Sequence, residues 1–108
     1  MAVIGNLPKA KGKAARKVEV IEATGPSSDV SISAQSGADV VIPLSPSLPN
    51  PEYAALLEVS GLPGGVAVGN ITFAGDFSSV TLHAVNATAG SVTVSANSVT
   101  VKVLVIGY

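Results

Sequence analysis

The only histidine of the chain, His83, is the first candidate for acid–base or metal chemistry. It follows Val80 and Leu82 in a stretch where apolar and polar residues alternate, which predicts a strand with His83 on the polar face beside Thr81. A nucleophilic triad or a histidine metal cluster needs more members than the sequence places near it. We therefore expect His83 to be a solvated strand residue.

The carboxylates do not form a catalytic or calcium-binding pattern. Asp76 lies in a glycine-containing turn, where an aspartate bonds its own backbone. Asp29 and Asp39 also flank turns, and their spacing is not that of a calcium loop. Glu52 and Glu58 can be imagined as a catalytic pair, but nothing else in the sequence supports that role.

Two further site types are excluded by composition. The run Gly61 to Gly65 is rich in glycine, but it lacks the Lys-Ser/Thr ending and the helix of a phosphate-binding loop, so it predicts a plain turn. Cysteine is absent, which rules out disulfides and thiolate metal sites. The sequence therefore predicts a protein that is not an enzyme, with no cofactor, metal site or small-molecule substrate.

Positive charge is concentrated at the start of the chain. From Val18 onward Lys102 is the one cation against seven carboxylates, a net charge of −6. The other five basic residues are the predicted partner-binding residues Lys9, Lys11, Lys13, Arg16 and Lys17. They favour docking on an acidic protein surface. Nucleic acid is a weaker alternative, because the remaining chain is acidic and no aromatic residue is interleaved with the lysines.

Residues 1–17 predict an extended N-terminal arm, because Gly5, Pro8 and Gly12 interrupt any regular pattern. A short helix over residues 10–17 is one alternative, and a solvated tail is another. The apolar start is too short for a secretory signal and precedes the basic residues, so we expect synthesis in a host cytoplasm without export. We also expect no membrane span.

The rest of the chain, residues 18–108, predicts one β-rich domain. The triplet Ser-Val-Thr occurs three times in the C-terminal third, and period-two alternation indicates strands. Strands are predicted at 18–24, 29–34, 39–44, 66–73 and in three segments between 79 and 106. Residues 52–60 are ambiguous, and we expect a strand from about Ala55 with a possible helical turn before it. Three prolines in 45–51 predict an exposed crossing loop.

The end of the chain is apolar on both faces of its predicted strand. Residues 103–106 read Val-Leu-Val-Ile, so this strand is expected to be covered on both sides, either within the domain or by a neighbouring subunit. Tyr108 and these residues are candidates for a subunit contact, and a packed terminal strand is the alternative. About eight short strands separated by turns predict an antiparallel sandwich or barrel.

The run Leu57 to Val68, LEVSGLPGGVAV, resembles the "VSGLPxGV" turn of bacterial and phage Ig-like sandwich domains. The resemblance extends over residues 53–106, through the later "SVTL" and "TVTV"-like strands. It implies an all-β, Ig-like antiparallel β-sandwich of about 7–8 strands used for binding or assembly. A single copy behind a basic arm looks like a phage capsid decoration (cement) protein.

The expected function is therefore that of a structural virion protein on the capsid surface. It would bind the major capsid protein, or another virion protein, through its N-terminal arm and stabilise the shell, and it could also form homo-oligomers. One alternative is a tail, neck or fibre component of such a particle. Another is a bacterial adhesion or carbohydrate-binding module, for which four scattered aromatic residues supply little of a ligand platform.

Overall fold

Every regular element in the described part of the chain is a β-strand. The computed structural model describes the backbone of residues 3–9 and all atoms of residues 15–108. Eight strands lie in residues 15–108, which confirms the predicted all-β fold, and one more lies before them. The strands are β1 (Val3–Lys9), β2 (Ala15–Gly25), β3 (Val30–Ile32), β4 (Ser36–Pro43), β5 (Pro51–Ser60), β6 (Val66–Phe73), β7 (Ser79–Asn86), β8 (Val92–Val94) and β9 (Val99–Gly107).

The strands form two antiparallel sheets and a short two-stranded pair. The front sheet has the order β1-β2-β9-β5, and the back sheet has the order β4-β7-β6. The pair β3-β8 contributes buried Ile32 and Val94 to the same core. Residues 44–50 cross from the back sheet to the front sheet, as the prolines of this stretch predicted.

The core lies between the two sheets and is built from alternate residues of the central strands. On β9, Val99, Val101, Val103 and Val105 are all 0% exposed, whereas the residues between them point outward. The facing side chains from the back sheet include Val40, Ile42, Val80 and Leu82. Each buried branched side chain contributes about 1.5–3 kcal/mol relative to an exposed one, so the inward valines of β9 hold the front sheet against the back sheet.

A buried carboxylate ties β2 to the crossing loop. Glu19 points inward from β2 and is 0% exposed. Its Oε1 accepts a hydrogen bond from the backbone N–H of Ser47 at 2.8 Å. Its Oε2 has no hydrogen-bond partner among the described residues. The contact fixes the loop over one end of the core, although it leaves one carboxylate oxygen without compensation for its burial.

Several local features differ from the sequence predictions. The strand predicted at 29–34 is shorter, at Val30–Ile32, and the strand predicted at 39–44 begins earlier, at Ser36. Residues 51–60 form one strand from their first residue, so the expected helical turn before Ala55 is wrong. These residues are extended because they pair with β9 along the whole length of β5, from Pro51 to Ser60. Residues 3–9 are extended, as predicted, but they pair with β2. The boundary expected after Lys17 therefore lies inside a strand, since β2 begins at Ala15.

Candidate interaction surface

The basic segment of the sequence is part of a β-hairpin at one end of the front sheet. We call β1 and the start of β2 the basic hairpin, and residues 10–14, which connect them in the sequence, lie outside the described residues. Its backbone pairing runs from Val3 opposite Val20 to Lys9 opposite Ala15. On the other side of β2, pairing with β9 stops at Lys17 opposite Gly107. Lys9 and Ala15 therefore lie beyond the last pair that joins β2 to β9.

The five predicted partner-binding residues have different positions in this hairpin. Lys9 is the last residue of β1, whereas Arg16 and Lys17 lie near the start of β2. Lys11 and Lys13 lie outside the described residues. The fold thus brings Lys9, Arg16 and Lys17 to the same end of the front sheet, and their role in binding a partner stays a prediction.

Arg16 is held by an acidic residue that sequence spacing did not reveal. Its Nε donates a hydrogen bond to Glu52 Oε1 at 3.1 Å, and the two side chains are 35% and 23% exposed. Arg16 is therefore partly neutralised within the domain. Lys17 is exposed, which makes it the more accessible cation of the two.

Two apolar rows cross the outer face of the front sheet next to the basic hairpin. One row is Val18, Ile106 and Tyr53, and the other is Val20, Leu104 and Ala55, which are register partners on β2, β9 and β5. Leu57 lies beside the rows, at the bulge in β5. We call these seven residues the apolar face. Tyr53 and Leu57 are its most exposed large side chains, at 62% and 54%.

The apolar face explains the two-sided apolar pattern at the end of the chain. Val103 and Val105 are fully buried, whereas Leu104 and Ile106 point outward and are partly exposed. None of the members of the apolar face belongs to the core cluster. The domain itself therefore covers only the inward face of β9, and covering of the outward face by a neighbouring subunit stays a prediction.

A charged row follows the apolar face on the side away from the basic hairpin. Glu22, Lys102 and Glu58 lie opposite one another on β2, β9 and β5. Lys102 Nζ is 3.7 Å from Glu58 Oε2, and both side chains are well exposed, at 46% and 59%. An exposed pair of this kind contributes at most about 1 kcal/mol. The outer front face therefore changes from basic, through apolar, to net acidic along the strands.

The outer face of the back sheet carries a polar row centred on His83. Asp39 Oδ1 is 2.6 Å from His83 Nδ1, and Thr72 Oγ1 is 3.0 Å from His83 Nε2. The order carboxylate, imidazole, hydroxyl is that of a nucleophilic triad. The side chains of His83 and Asp39 are 39% and 62% exposed, however, on an open sheet surface. Such exposure gives little of the water-excluded environment in which triads work.

We interpret this row as cross-strand pairing. Asp39 and His83 are register partners on β4 and β7, so their side chains meet directly. The sequence prediction placed His83 on a polar strand face, and the structure places it there. Asp39 and Thr72 were not predicted as its partners, because that requires the register of three strands.

The described residues offer few other features for chemistry. Within residues 15–108, no group of three or more His, Cys, Asp or Glu residues is arranged to hold a metal ion. No helix long and apolar enough to cross a membrane occurs in the part of the chain that the structure describes. A shallow depression of ≈ 420 Å³ lies beside His83 and Val85. The basic hairpin and the apolar face are therefore the features that we develop as candidate sites.

Comparisons with known proteins found no similar protein. No protein family, no curated protein and no solved structure matches it.

Proposed function

We propose that this chain is a structural virion protein that attaches to the outer surface of a viral shell through its basic hairpin. The observation that carries the proposal is the separation of charge between the hairpin and the rest of the chain. Five of the six basic residues precede Val18, and the chain from there on has a net charge of −6. An acidic partner surface would attract the hairpin and repel the sandwich, which orients the protein on that surface.

The position of the hairpin supports attachment at one end of the molecule. Lys9 and Ala15 lie past the last β2–β9 pair, and the principal extents are 54 × 22 × 18 Å. Lys17 is exposed at this end. A long, narrow domain that binds by one end can be repeated closely over a lattice, where many weak contacts give strong overall retention.

The virion setting comes from the resemblance of residues 57–68 to the Ig-like sandwich domains of bacteria and phages. A sandwich of antiparallel strands with a valine-rich core suits a stabilising role, because the outer faces of its sheets offer surface for contacts. Attachment through the hairpin adds contacts across shell subunits, and this is how the protein would stabilise the shell.

The test is binding to assembled shells of the virus that encodes the chain. A triple variant, Lys9→Glu, Lys11→Glu and Lys13→Glu, should lose co-sedimentation with shells, while its circular dichroism and melting curve stay those of the parent sandwich. The matched control is Lys102→Glu, which reverses the one basic residue outside the cluster and should leave binding intact.

Three results would contradict the proposal. The first is full shell occupancy by the triple variant. The second is absence of the chain from purified particles. The third is preferential, salt-sensitive binding of the purified protein to duplex DNA, since the same cations would then serve phosphate contacts.

A further inference from the structure

The outward side of β2 has a charge pattern that is complementary to itself. Its outward residues are, in order, Arg16, Val18, Val20 and Glu22, and they alternate with inward Glu19 and Ile21. The pattern is therefore cation, valine, valine, carboxylate. Val18 and Val20 are each one residue from Glu19, and Arg16 and Glu22 are each three residues from it. The pattern is therefore symmetric in position about Glu19, with opposite charges at its two ends.

The neighbouring strands widen this pattern into a surface. β2 and β9 are the two central strands of the front sheet, so the apolar rows lie near its middle. With four strands about 4.8 Å apart and about 30 Å long, the outer front face covers roughly 600 Å². That is most of the roughly 800 Å² per partner that a standard stable interface buries.

We infer that the outer front face is a homodimer interface, covered by the same face of a second copy in antiparallel orientation. The two-fold axis runs across the strands near the level of Glu19. This places β2 over β2 of the second copy, with Val18 over Val20 and Arg16 over Glu22. Two-fold symmetry makes each of these contacts twice. The paired sheets would pack face to face at about 10 Å, as in a sandwich.

Charge decides between the two orientations that a two-fold axis allows. With the axis along the strands, the basic hairpins of both copies come together at one end and repel each other. With the axis across the strands, the hairpins lie at opposite ends, and each Arg16 meets the carboxylate of a Glu22. The antiparallel orientation is therefore the one that the surface favours.

The inference does not rest on shell attachment. It uses Arg16, Glu22 and the apolar face, whereas the shell-binding test changes Lys9, Lys11 and Lys13, which precede β2 in the chain. Arg16 also donates to Glu52 on its own chain, and a guanidinium has further N–H groups with which it can donate to a second carboxylate.

Sedimentation equilibrium of the purified full chain tests the dimer, with mass measured against the 10.6 kDa of one chain. We expect twice that mass for the unmodified protein. Tyr53→Asp should weaken association at least about tenfold, because it puts a charge into the apolar face. The matched control is Val41→Asp, which changes an exposed apolar residue on an outer strand of the back sheet and should leave association unchanged.

Charge reversal tests the orientation. Arg16→Glu alone gives Glu over Glu, and Glu22→Arg alone gives Arg over Arg, so each variant should dimerise less than the parent. An equimolar mixture of the two variants restores opposite charges at both contacts and should dimerise again. Melting curves of each variant confirm that the sandwich is folded.

Four outcomes overturn the inference. The unmodified chain stays monomeric up to millimolar concentration, or it forms a trimer or larger ring. Tyr53→Asp and Val41→Asp have equal effects. The mixture of Arg16→Glu and Glu22→Arg associates no better than either variant alone, which would exclude this antiparallel pairing.

Discussion

Arg16 on β2 donates a hydrogen bond to Glu52 on β5 at 3.1 Å, although 36 residues separate them in the chain. The bond spans the end of β9, which lies between these strands in the front sheet. It therefore joins the basic hairpin to the first residues after the crossing loop, at the end of the molecule where attachment is proposed.

The Arg16–Glu52 pair should contribute little to folding stability. A double-mutant cycle with Arg16→Met and Glu52→Gln, read by urea unfolding, should give a coupling below about 1 kcal/mol that shrinks in high salt. The reason is partial exposure of both side chains, at 35% and 23%. A coupling above about 2 kcal/mol would mean that the pair is structural and not a surface contact.

Asn86 should be the polar side chain whose loss costs most stability. It is fully buried, and its Nδ2 donates to the carbonyls of Ile32, Ser33 and Gly90, while its Oδ1 accepts from the N–H and hydroxyl of Thr88. Asn86→Ala removes all of these bonds, and only the Thr88 hydroxyl and the Gly90 carbonyl can still pair with each other, so the free energy of unfolding should fall by about 2–4 kcal/mol.

The matched control for this variant is Asn70→Ala. Asn70 is exposed on β6, and its replacement should change the free energy of unfolding by less than about 0.5 kcal/mol. Equal effects of the two substitutions in urea unfolding would contradict the role assigned to the buried amide.

Gly61 should tolerate no side chain, because its backbone has φ 90 and a Cβ at this position would overlap the carbonyl oxygen of Ser98. Gly61→Ala should lower the free energy of unfolding by about 2–4 kcal/mol. Gly64 is in the same turn, and a Cβ there would meet nothing within 4 Å. Gly64→Ala should be neutral or stabilising by up to about 1 kcal/mol. Thermal melts should show a lower melting temperature for Gly61→Ala than for Gly64→Ala, and equal melting temperatures would contradict the prediction.

The pKa of Asp76 lies below its ordinary value, chiefly because the Ser78 hydroxyl donates to its carboxylate and secondly because the Ser78 N–H does. A depressed folded-state pKa means that the stabilisation is present above the unfolded-state pKa and is lost as the pH falls through the folded-state value. Ser78→Ala should raise the pKa of Asp76, as measured by NMR titration of its carboxyl carbon. Ser60→Ala, far along the chain, should not change it.

The hydrogen bond from the Ser47 N–H to Glu19 should stabilise the fold. Glu19→Gln keeps an oxygen that can accept from the Ser47 N–H, and it replaces the unpartnered Oε2 with an amide group. Glu19→Leu removes the acceptor and leaves the Ser47 N–H without it, so in urea unfolding it should lower the free energy of unfolding by about 1–3 kcal/mol more than Glu19→Gln does. Equal effects of the two substitutions would contradict this role.

Local patterns were sufficient for most of the strands. Alternation in β7 and β9 identified which residues face the core, because a strand buried on one side repeats every two residues. β6 is predicted with the bounds that the structure gives, whereas β4 begins at Ser36, three residues before the strand predicted at 39–44. Residues 52–60 were less clear, since the alanines and leucines of residues 54–57 suit a helix until pairing with β9 is known.

The candidate surfaces depended on information that a sequence does not carry locally. The basic residues were found from charge alone, but their hairpin depends on which strand lies beside β2. Ser47 and Glu19 are 28 residues apart, and Asp39 and His83 are 44 apart. Such contacts follow from strand order and register, and no spacing rule relates their positions in the chain.

The continuity of β2 has a mechanical consequence. This strand runs without a break from Ala15 in the basic hairpin to Gly25, and nine register pairs join it to β9. Inter-strand hydrogen bonds lie perpendicular to the strands. Force applied at the hairpin is therefore carried along β2 as shear, which loads many hydrogen bonds together instead of unzipping them singly. Under force, a molecule attached through the hairpin should therefore dissociate from its partner surface before β2 separates from β9.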